Sequence, residues 1–407
     1  MLKGNHTISV SEKEVPVLCE CDVAVAGGGT AGFSAAVSAA RAGASVVIIE
    51  KSNLFGGLWT NGLVLRLYGT HAFSGGERKN YFGGIGKEVT DRLKSLEQGI
   101  RYFDEEAFEP TPDPEAAVHI MDQMIQEEKN ITVLFDVYLS GVIREGRMVK
   151  ALICESSQGS FAVAARSFVD ATGDCRVLDM ASDECSVVTR YSTGLNHVLA
   201  GVSELTKKEI SAVYGNMECM PNPDTVWVNM GGRKCDWTDL FEMSCLEMEH
   251  RGKIWKQLEQ LRKNTGSHQP YIAKTAVQMG TRVTRLPRNS HTFRYEAAVS
   301  SPETQKPVGV SGWANYESNY KNRKPGYQIP YSVILPERVE NLWIAGRCVN
   351  ADERIIDSLR LIPNCFITGQ AAGTAAAVCA FSGGSGSRLP YEMLEKELKR
   401  QKVILSL

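Results

Sequence analysis

The 407-residue chain lacks several features that would decide its class at once. It has no uninterrupted apolar run of the roughly 18 residues that a membrane-spanning helix needs. Its opening segment, MLKGNHTISVSEKEVP, has no apolar core of the secretory-signal kind, so a cytoplasmic protein without a membrane span is expected. Charge of one sign is not in excess either, with 45 Lys and Arg against 47 Asp and Glu. The basic surplus of a general nucleic-acid binder is therefore missing. The 11 cysteines are scattered, with no CxxC pair and no Cys/His cluster at zinc spacing, which argues against a disulfide framework, a redox dithiol and a structural metal. Cys19 and Cys21, flanking Glu20, read as alternating side chains at the start of a strand. Internal repeats and long low-complexity tracts are also missing.

What is present begins with a compact strand–helix–strand unit. Residues 22–27 (DVAVAG) read as a buried strand, 30–42 (TAGFSAAVSAARA) as a helix of small residues stopped by Gly43, and 45–50 (SVVIIE) as a second strand. Between the first two, Gly27, Gly29 and Gly32 satisfy G-x-G-x-x-G. Gly27 permits the tight turn, Gly29 lets a pyrophosphate approach the backbone, and Gly32 lets helix and strand pack closely. The phosphates would meet the free N–H groups of the helix start. Glu50 ends the second strand, where a carboxylate can take both hydroxyls of a ribose and disfavours a 2′-phosphate. The fingerprint by itself leaves NAD and FAD both open.

Further along, Asp113 is placed to cap a helix with Pro114 in its first position, DPEAAVHIMDQMIQEE, and the strand ITVLF follows. From 138 to 165 three short strands separated by EG and SQG turns suggest an antiparallel meander. FVDATGD then reads as a separate, parallel-type strand. The middle third is mixed in pattern and holds a polar helix near 238–262. After it the early text resumes, with the strand NLWIAGR (341–347) and the small-residue helix PNCFITGQAAGTAAAVCAF (363–381). SGGSGS (382–387) reads as a flexible linker and 389–403 as an amphipathic helix. The expected fold is thus α/β, a Rossmann-like dinucleotide-binding domain with a parallel sheet plus an antiparallel β-meander. It would be made of residues 1–184 and 336–407, with an α+β substrate domain, 185–335, inserted between them.

Two features point past NAD. Glu50 is followed by KSNLFGGLWTNG, whose Gly56 and Gly57 would let the chain pass close to a bulky planar group, and the meander followed by ATGD is unlike a purely doubly wound sheet. The segments DVAVAGGGTAGFSAAVSAARAGASVVIIEKSNLFGG, FVDATGD, GYQIPYSVILPERVENLWIAGRC and DSLRLIPNCFITGQAAGTAAA resemble the FAD-dependent oxidoreductases of the glutathione reductase-like flavoprotein superfamily, distantly akin to fumarate reductase flavoproteins. The resemblance covers both ends of the chain and is weak in the middle third.

It implies FAD as cofactor. Gly27, Gly29, Thr30, Ala31 and Gly32 would lie at the pyrophosphate, Glu50 at the adenosine ribose, and Lys51 and the backbone of Val137 at the adenine. Gly56, Gly57, Leu58, Trp59 and Thr60 would pass along the ribityl chain and flavin. Ala171, Thr172, Gly173 and Asp174 would close over the adenine half, with Gly346 and Arg347 near the ribityl phosphate. Arg360, Pro363 and Asn364 would sit where the helix 363–381 starts under the isoalloxazine; there a helix N-terminus also stabilises the negative charge of reduced flavin. Members of the family often carry a His-Glu pair after the AGR segment, where this chain has Ala351-Asp352-Glu353-Arg354.

The residues that handle substrate are less defined. His71 is a candidate acid/base, or a covalent flavin anchor, against the alternative of a surface-loop histidine. In MGTRVTRLPRNSHTFRY, Arg282 and Arg285 could clamp a carboxylate, against a strand with solvated basic side chains. Arg288, His291 and Arg294 share that segment. Glu353, Arg354 and Arg360 form a third group. The run YESNYKNRKPGYQIPY could stack on bases, but its last part falls in a segment that resembles the family, so nucleic acid is not expected; Tyr327 and Tyr331 could line a pocket. No second glycine fingerprint for a nicotinamide nucleotide occurs, so reoxidation would fall to a second substrate, oxygen, an electron acceptor or carrier, or a nicotinamide cofactor bound without a Rossmann repeat. The expected activity is hydride transfer between flavin N5 and a small organic substrate bearing a carboxylate or hydroxyl. The alternatives are an electron-transfer subunit acting with a protein partner and an RNA-modifying enzyme.

Overall fold

The structure, a computed structural model, describes residues 14–74, 77–101, 109–182, 184–313 and 325–407. Its main sheet has seven strands. Ile131–Leu134, Val46–Ile49, Val17–Ala26 and Gly159–Asp170 lie side by side and parallel, and Met148–Ser156 and Tyr138–Glu145 continue the sheet antiparallel.

The strand Gly159–Asp170 joins what the sequence divides. Its first half pairs antiparallel with Met148–Ser156, and its second half pairs parallel with Leu342–Ile344, while its other edge runs along Val17–Ala26 throughout. The meander's third strand and FVDATGD are therefore one element of 12 residues, not two. Nothing between Ala165 and Phe168 breaks a strand: Arg166 and Ser167 are polar, but neither is Gly or Pro. This strand brings the meander, the glycine-loop strand and the late strand LWI into one layer.

Two helices pack back to back against that layer. Thr30–Arg41 follows the glycine loop, and Ile362–Ser382 crosses it at backbone contact. A Cβ on Gly369 would lie 2.1 Å from the Ala31 carbonyl oxygen, and one on Gly373 would lie 2.0 Å from that of Ala35. Ser34 Oγ and Ser38 Oγ donate across the contact to the carbonyls of Phe366 (2.7 Å) and Gln370 (3.0 Å). The GQAAG spacing is what permits this approach. By length and mean hydropathy Ile362–Ser382 could cross a membrane, but 83% of its apolar window is buried inside the fold. Gly383 ends it in the left-handed conformation, and the SGGSGS stretch that follows is held down: Gly386 N–H donates to Glu340 O (2.8 Å) and its carbonyl accepts from Tyr331 Oη (3.0 Å). The flexible-linker expectation is corrected accordingly. Tyr331 and Tyr327 are core residues, the Tyr327 hydroxyl donating to Ser358 Oγ at 3.0 Å, and neither lines the cleft beside the glycine fingerprint. Residues 314–324 of the aromatic-basic region lie outside the described residues.

A second, four-stranded antiparallel sheet is built from Met217–Cys219, Thr225–Val228, His197–Ala200 and Tyr271–Thr275, backed by the helix Leu240–Thr265. Asp239 caps that helix through Phe241 N–H (2.9 Å) and Glu242 N–H (3.0 Å), as its position before an apolar-periodic run requires. His197 is fully buried in this sheet against Tyr214, ring centroids 5.4 Å apart, and burial pushes its pKa down to about 4. The unfolded chain takes up a proton there between about pH 6.5 and 4 that the folded chain does not. Stability from this residue is thus complete above pH 6.5 and is lost as pH falls toward 4. Denaturant titrations should show a loss of roughly 2–3 kcal/mol between pH 7 and 4.5, smaller by about that amount in His197→Phe. Equal losses in the two proteins would refute the assignment.

Candidate functional site

The two sheets face each other across a cleft of ≈ 390 Å³. One wall is the glycine fingerprint. Gly27 has φ +100°, and a Cβ there would lie 2.5 Å from the Ala171 carbonyl; one on Gly32 would lie 1.7 Å from the carbonyl of Gly27. Gly29 is different, because its missing Cβ would meet nothing nearer than Gly57 Cα at 3.9 Å. It is thus space left for a ligand and not for packing. Gly29, Thr30 and Ala31 line the cleft at the start of their helix, where backbone N–H groups are free to meet an anion. Gly56 and Gly57 lie alongside, Gly56 N–H donating to Gly28 O at 2.9 Å.

Glu50 ends its strand on the same wall. Its Oε2 accepts from Gly28 N–H (2.5 Å), and its Oε1 from the N–H and hydroxyl of Ser52 (both 2.8 Å). Both acceptor sites of Oε1 are taken by Ser52, and Oε2 keeps a lone pair for a ligand hydroxyl. Lys51 is beside it. Opposite, Ala171, Thr172 and Gly173 form a turn held by the buried Asp170, which accepts from Thr172 N–H (3.1 Å), Thr172 Oγ1 (2.6 Å) and Leu178 N–H (3.0 Å). Asp174 lies behind the wall. Burial favours its neutral form, but Arg347, Thr284 Oγ1 and Lys51 outweigh burial and hold its pKa below the ordinary value. The Arg347 guanidinium, 3.1 Å from Asp174 Oδ1, is thereby fixed on the cleft next to Gly346.

Other expected contacts fall elsewhere. Trp59 is fully buried in an aromatic cluster, 5.6 Å from the Phe366 ring, with Nε1 donating to Leu65 O. Thr60 braces the turn through Phe55 O (2.6 Å). Neither lines the cleft, whereas their neighbour Leu58 does. Val137 donates its N–H to Glu50 O (3.1 Å) beneath the wall. The helix Ile362–Ser382 starts one residue early, so Pro363 is second; Arg360, Leu361, Ile362 and Cys365 face the cleft, while the Asn364 side-chain N–H groups go to Ser311 Oγ and Ser358 O and its buried Oδ1 has no partner among the described residues.

Of His71, Arg282, Arg285 and Glu353, Arg282 alone lines the cleft, donating to Ser192 O (2.5 Å) and Oγ (3.0 Å). Arg285 is behind it, paired with Asp179 (3.2 Å) and stacked over Trp237. Glu353 pairs with Arg190 (3.1 Å) and borders a separate shallow depression together with Arg288. His71 starts a short strand, its Nδ1 2.7 Å from Thr70 Oγ1, and is not on the wall; burial, with Arg78 and Lys94, pushes its pKa down to about 4.

The far wall escaped the sequence reading. Val64, Arg66 and Tyr68 line the cleft, while Leu63, Leu65 and Leu67 between them are buried. That alternation of period two was the available signal. Arg66 is held between Glu109 (3.1 Å) and Glu218 (2.7 Å) and stacks on Tyr68, whose hydroxyl pKa is raised by burial. Asn216, Asn229 and Gln278 complete this wall, and their side-chain amides make no hydrogen bond to other described residues.

The observations fit a dinucleotide: an N–H cradle with ligand space at Gly29, a ribose-type acceptor at Glu50, and cations at Lys51 and Arg347. The chain matches the family model described as FAD dependent oxidoreductase over residues 22–196 and 201–398. Among solved structures it is similar to a p-nitrophenol 4-monooxygenase from Pseudomonas putida, at 12% identity and TM-score 0.48, covering 94% of this chain and 84% of that one. It is also similar to a geranylgeranyl bacteriochlorophyll reductase-like protein from Thermoplasma acidophilum (14%, TM-score 0.46, 94% and 83%). A flavoprotein/dehydrogenase from Cytophaga hutchinsonii is a third (12%, TM-score 0.47, 94% and 83%). No curated protein matches by sequence.

Proposed function

The chain belongs to the FAD-dependent oxidoreductases, and from that premise we propose that it exchanges a hydride with a small, uncharged, hydroxyl-bearing substrate held on the far wall of the cleft. When bound, FAD supplies the two-electron chemistry, taking or giving a hydride at the substrate carbon. The rest falls to the chain. Gly29–Ala31 and Arg347 would hold the pyrophosphate, Glu50 the ribose, and Gly56–Leu58 with the start of Ile362–Ser382 the flavin half.

One observation carries the choice of substrate. Every arginine on the cleft is already engaged: Arg66 by Glu109 and Glu218, Arg282 by Ser192, Arg347 by Asp174, Arg360 by Asp357. The amides of Asn216, Asn229 and Gln278 are not engaged by described residues. A carboxylate would compete with an ion pair at Arg66, Arg347 or Arg360 and with the Ser192 hydrogen bonds at Arg282, whereas hydroxyls meet open donors and acceptors at the amides. Tyr68, kept protonated by burial, donates to the substrate. The proton released when a hydroxyl is oxidised leaves through the open cleft to solvent; His71, Arg285 and Glu353 lie off the cleft and are given no part.

We further assign residues 185–335 to a substrate region inserted in the cofactor domain, because the far wall draws on Asn196, Asn229, Gln278 and Arg282. Wider kinship with the glutathione reductase-like flavoproteins, and remotely with fumarate reductase flavoproteins, rests on the quoted segments.

Anaerobic holoprotein offered neutral polyhydroxy compounds should lose its flavin absorbance, and matched mono- and dicarboxylates should leave it. Bleaching by carboxylates alone, or only by a reduced protein partner, would sink this reading. Separately, Glu50→Ala should weaken FAD binding ~10- to 100-fold, the loss of a charged hydrogen-bonding partner of the ribose. Unchanged affinity would remove Glu50 from the ribose.

A further inference from the structure

The helix Leu240–Thr265 has two apolar faces. One, formed by Leu246, Ile254, Leu258 and Leu261, is buried under the second sheet. On the other, Phe241, Met248 and Trp255 are 86%, 60% and 57% exposed. They recur every seventh residue, a spacing that drifts only ~20° per step on a straight helix, so the three form one stripe. It spans about 21 Å. Leu240 and Cys245 are exposed at its margin, and a Cβ on Gly252, beside the stripe, would meet nothing within 4 Å. A contiguous outward stripe with a tryptophan at one end is the composition of an interface and not of a solvated face.

The charge along the helix says what the partner is. From 239 to 250 every ionised side chain is acidic: Asp239, Glu242, Glu247 and Glu249. From 251 to 263 the side chains are Arg251, Lys253, Lys256, Arg262 and Lys263 against Glu259 alone. Glu242 and Glu249 reach Arg233 and Glu247 reaches Arg251 within the chain, whereas Lys253 and Lys256 have no ion pair among the described residues. A helix acidic in one half and basic in the other is complementary to itself when reversed.

We propose that this face is the interface between two copies of the chain, their helices antiparallel about a two-fold axis that passes beside Met248. Phe241 of one protomer then faces Trp255 of the other, and the acidic half of each helix lies along the basic half of its partner. A parallel pair would set acid against acid. The inner side of the same helix packs in one cluster with Met230, which lines the cleft, so pairing braces the far wall of the site from behind. The inference is independent of the substrate reading.

Sedimentation of FAD-loaded protein over micromolar concentrations should show a dimer. Phe241→Glu with Trp255→Glu should raise its dissociation constant ~30-fold or more, the loss of a buried aromatic anchor, with FAD content unchanged as the control for folding. In a Cys245→Ser background, Met248→Cys should give a disulfide-linked dimer on oxidation, because a disulfide needs Cα atoms within about 7 Å and only residues beside the axis meet that. A wild-type monomer would overturn the proposal. So would a dimer indifferent to the double charge variant, absence of the Met248→Cys bridge, or a monomer that instead binds anionic phospholipid vesicles through this face.

Discussion

Gly32→Ala should abolish FAD retention and cost about 3 kcal/mol of stability, a large effect for one added methyl group. The new Cβ would sit 1.7 Å from the Gly27 carbonyl oxygen and 3.2 Å from the Ala171 side chain. Both neighbours belong to the turns that frame the cleft, so the helix start cannot yield without moving the N–H groups proposed to meet the phosphates. The expected outcome is colourless protein with a lowered denaturation midpoint that added FAD does not restore. Gly43→Ala is a useful contrast: at φ +97° it strains the backbone, yet its Cβ meets nothing within 4 Å. It should cost stability and leave the cofactor bound. Normal FAD content in Gly32→Ala would mean that the loop does not form the cradle.

The second large effect is at Arg66. Its guanidinium is 15% exposed between Glu109 (7%) and Glu218 (15%). Arg66→Met leaves two largely buried carboxylates that share a site without the cation between them, and breaking a buried pair in this way costs about 3–5 kcal/mol. The pH dependence identifies the cause. Without Arg66 the two carboxylates, with Lys207 at 3.8 Å from Glu218 as a remaining cation, favour protonation more, so their pKa values rise relative to the wild type, and the variant should recover part of its deficit as pH falls. In the wild type Arg66 holds both carboxylates, and His197 destabilises the fold as pH falls. Denaturant midpoints that fall in parallel for both proteins would contradict the triad's energetic role.

How legible all this was in the sequence depended on distance along the chain. The G-x-G-x-x-G turn, its helix and Glu50 lie within 24 residues, and each is specified by its neighbours; their geometry could be read directly. The joined strand Gly159–Asp170 was divided because its two halves have different partners, one adjacent in sequence and one nearly two hundred residues away. The resemblance runs Gly56 to Thr60 along the flavin as one stretch, but the turn at the two glycines sends the Trp59 ring into the core, against Phe366. Glu353 was chosen for its closeness in sequence to the AGR segment; the chain turns at Asp352, which accepts from the N–H groups of Arg354 and Ile355, and carries Glu353 outward. The far wall was least legible. Arg66, Asn229 and Gln278 come from three separate segments, and only the tertiary fold brings them to one surface.

The division of the cleft into a cofactor wall and a substrate wall is tested most directly by titrating FAD, by quenching of its fluorescence, against apoprotein of wild type, Glu50→Ala and the double variant Asn229→Ala with Gln278→Ala. The account predicts one FAD per chain, weakened binding in Glu50→Ala, and wild-type affinity in the amide variant. An amide variant that loses FAD as severely as Glu50→Ala, or a Glu50→Ala protein that binds it like wild type, would contradict that division.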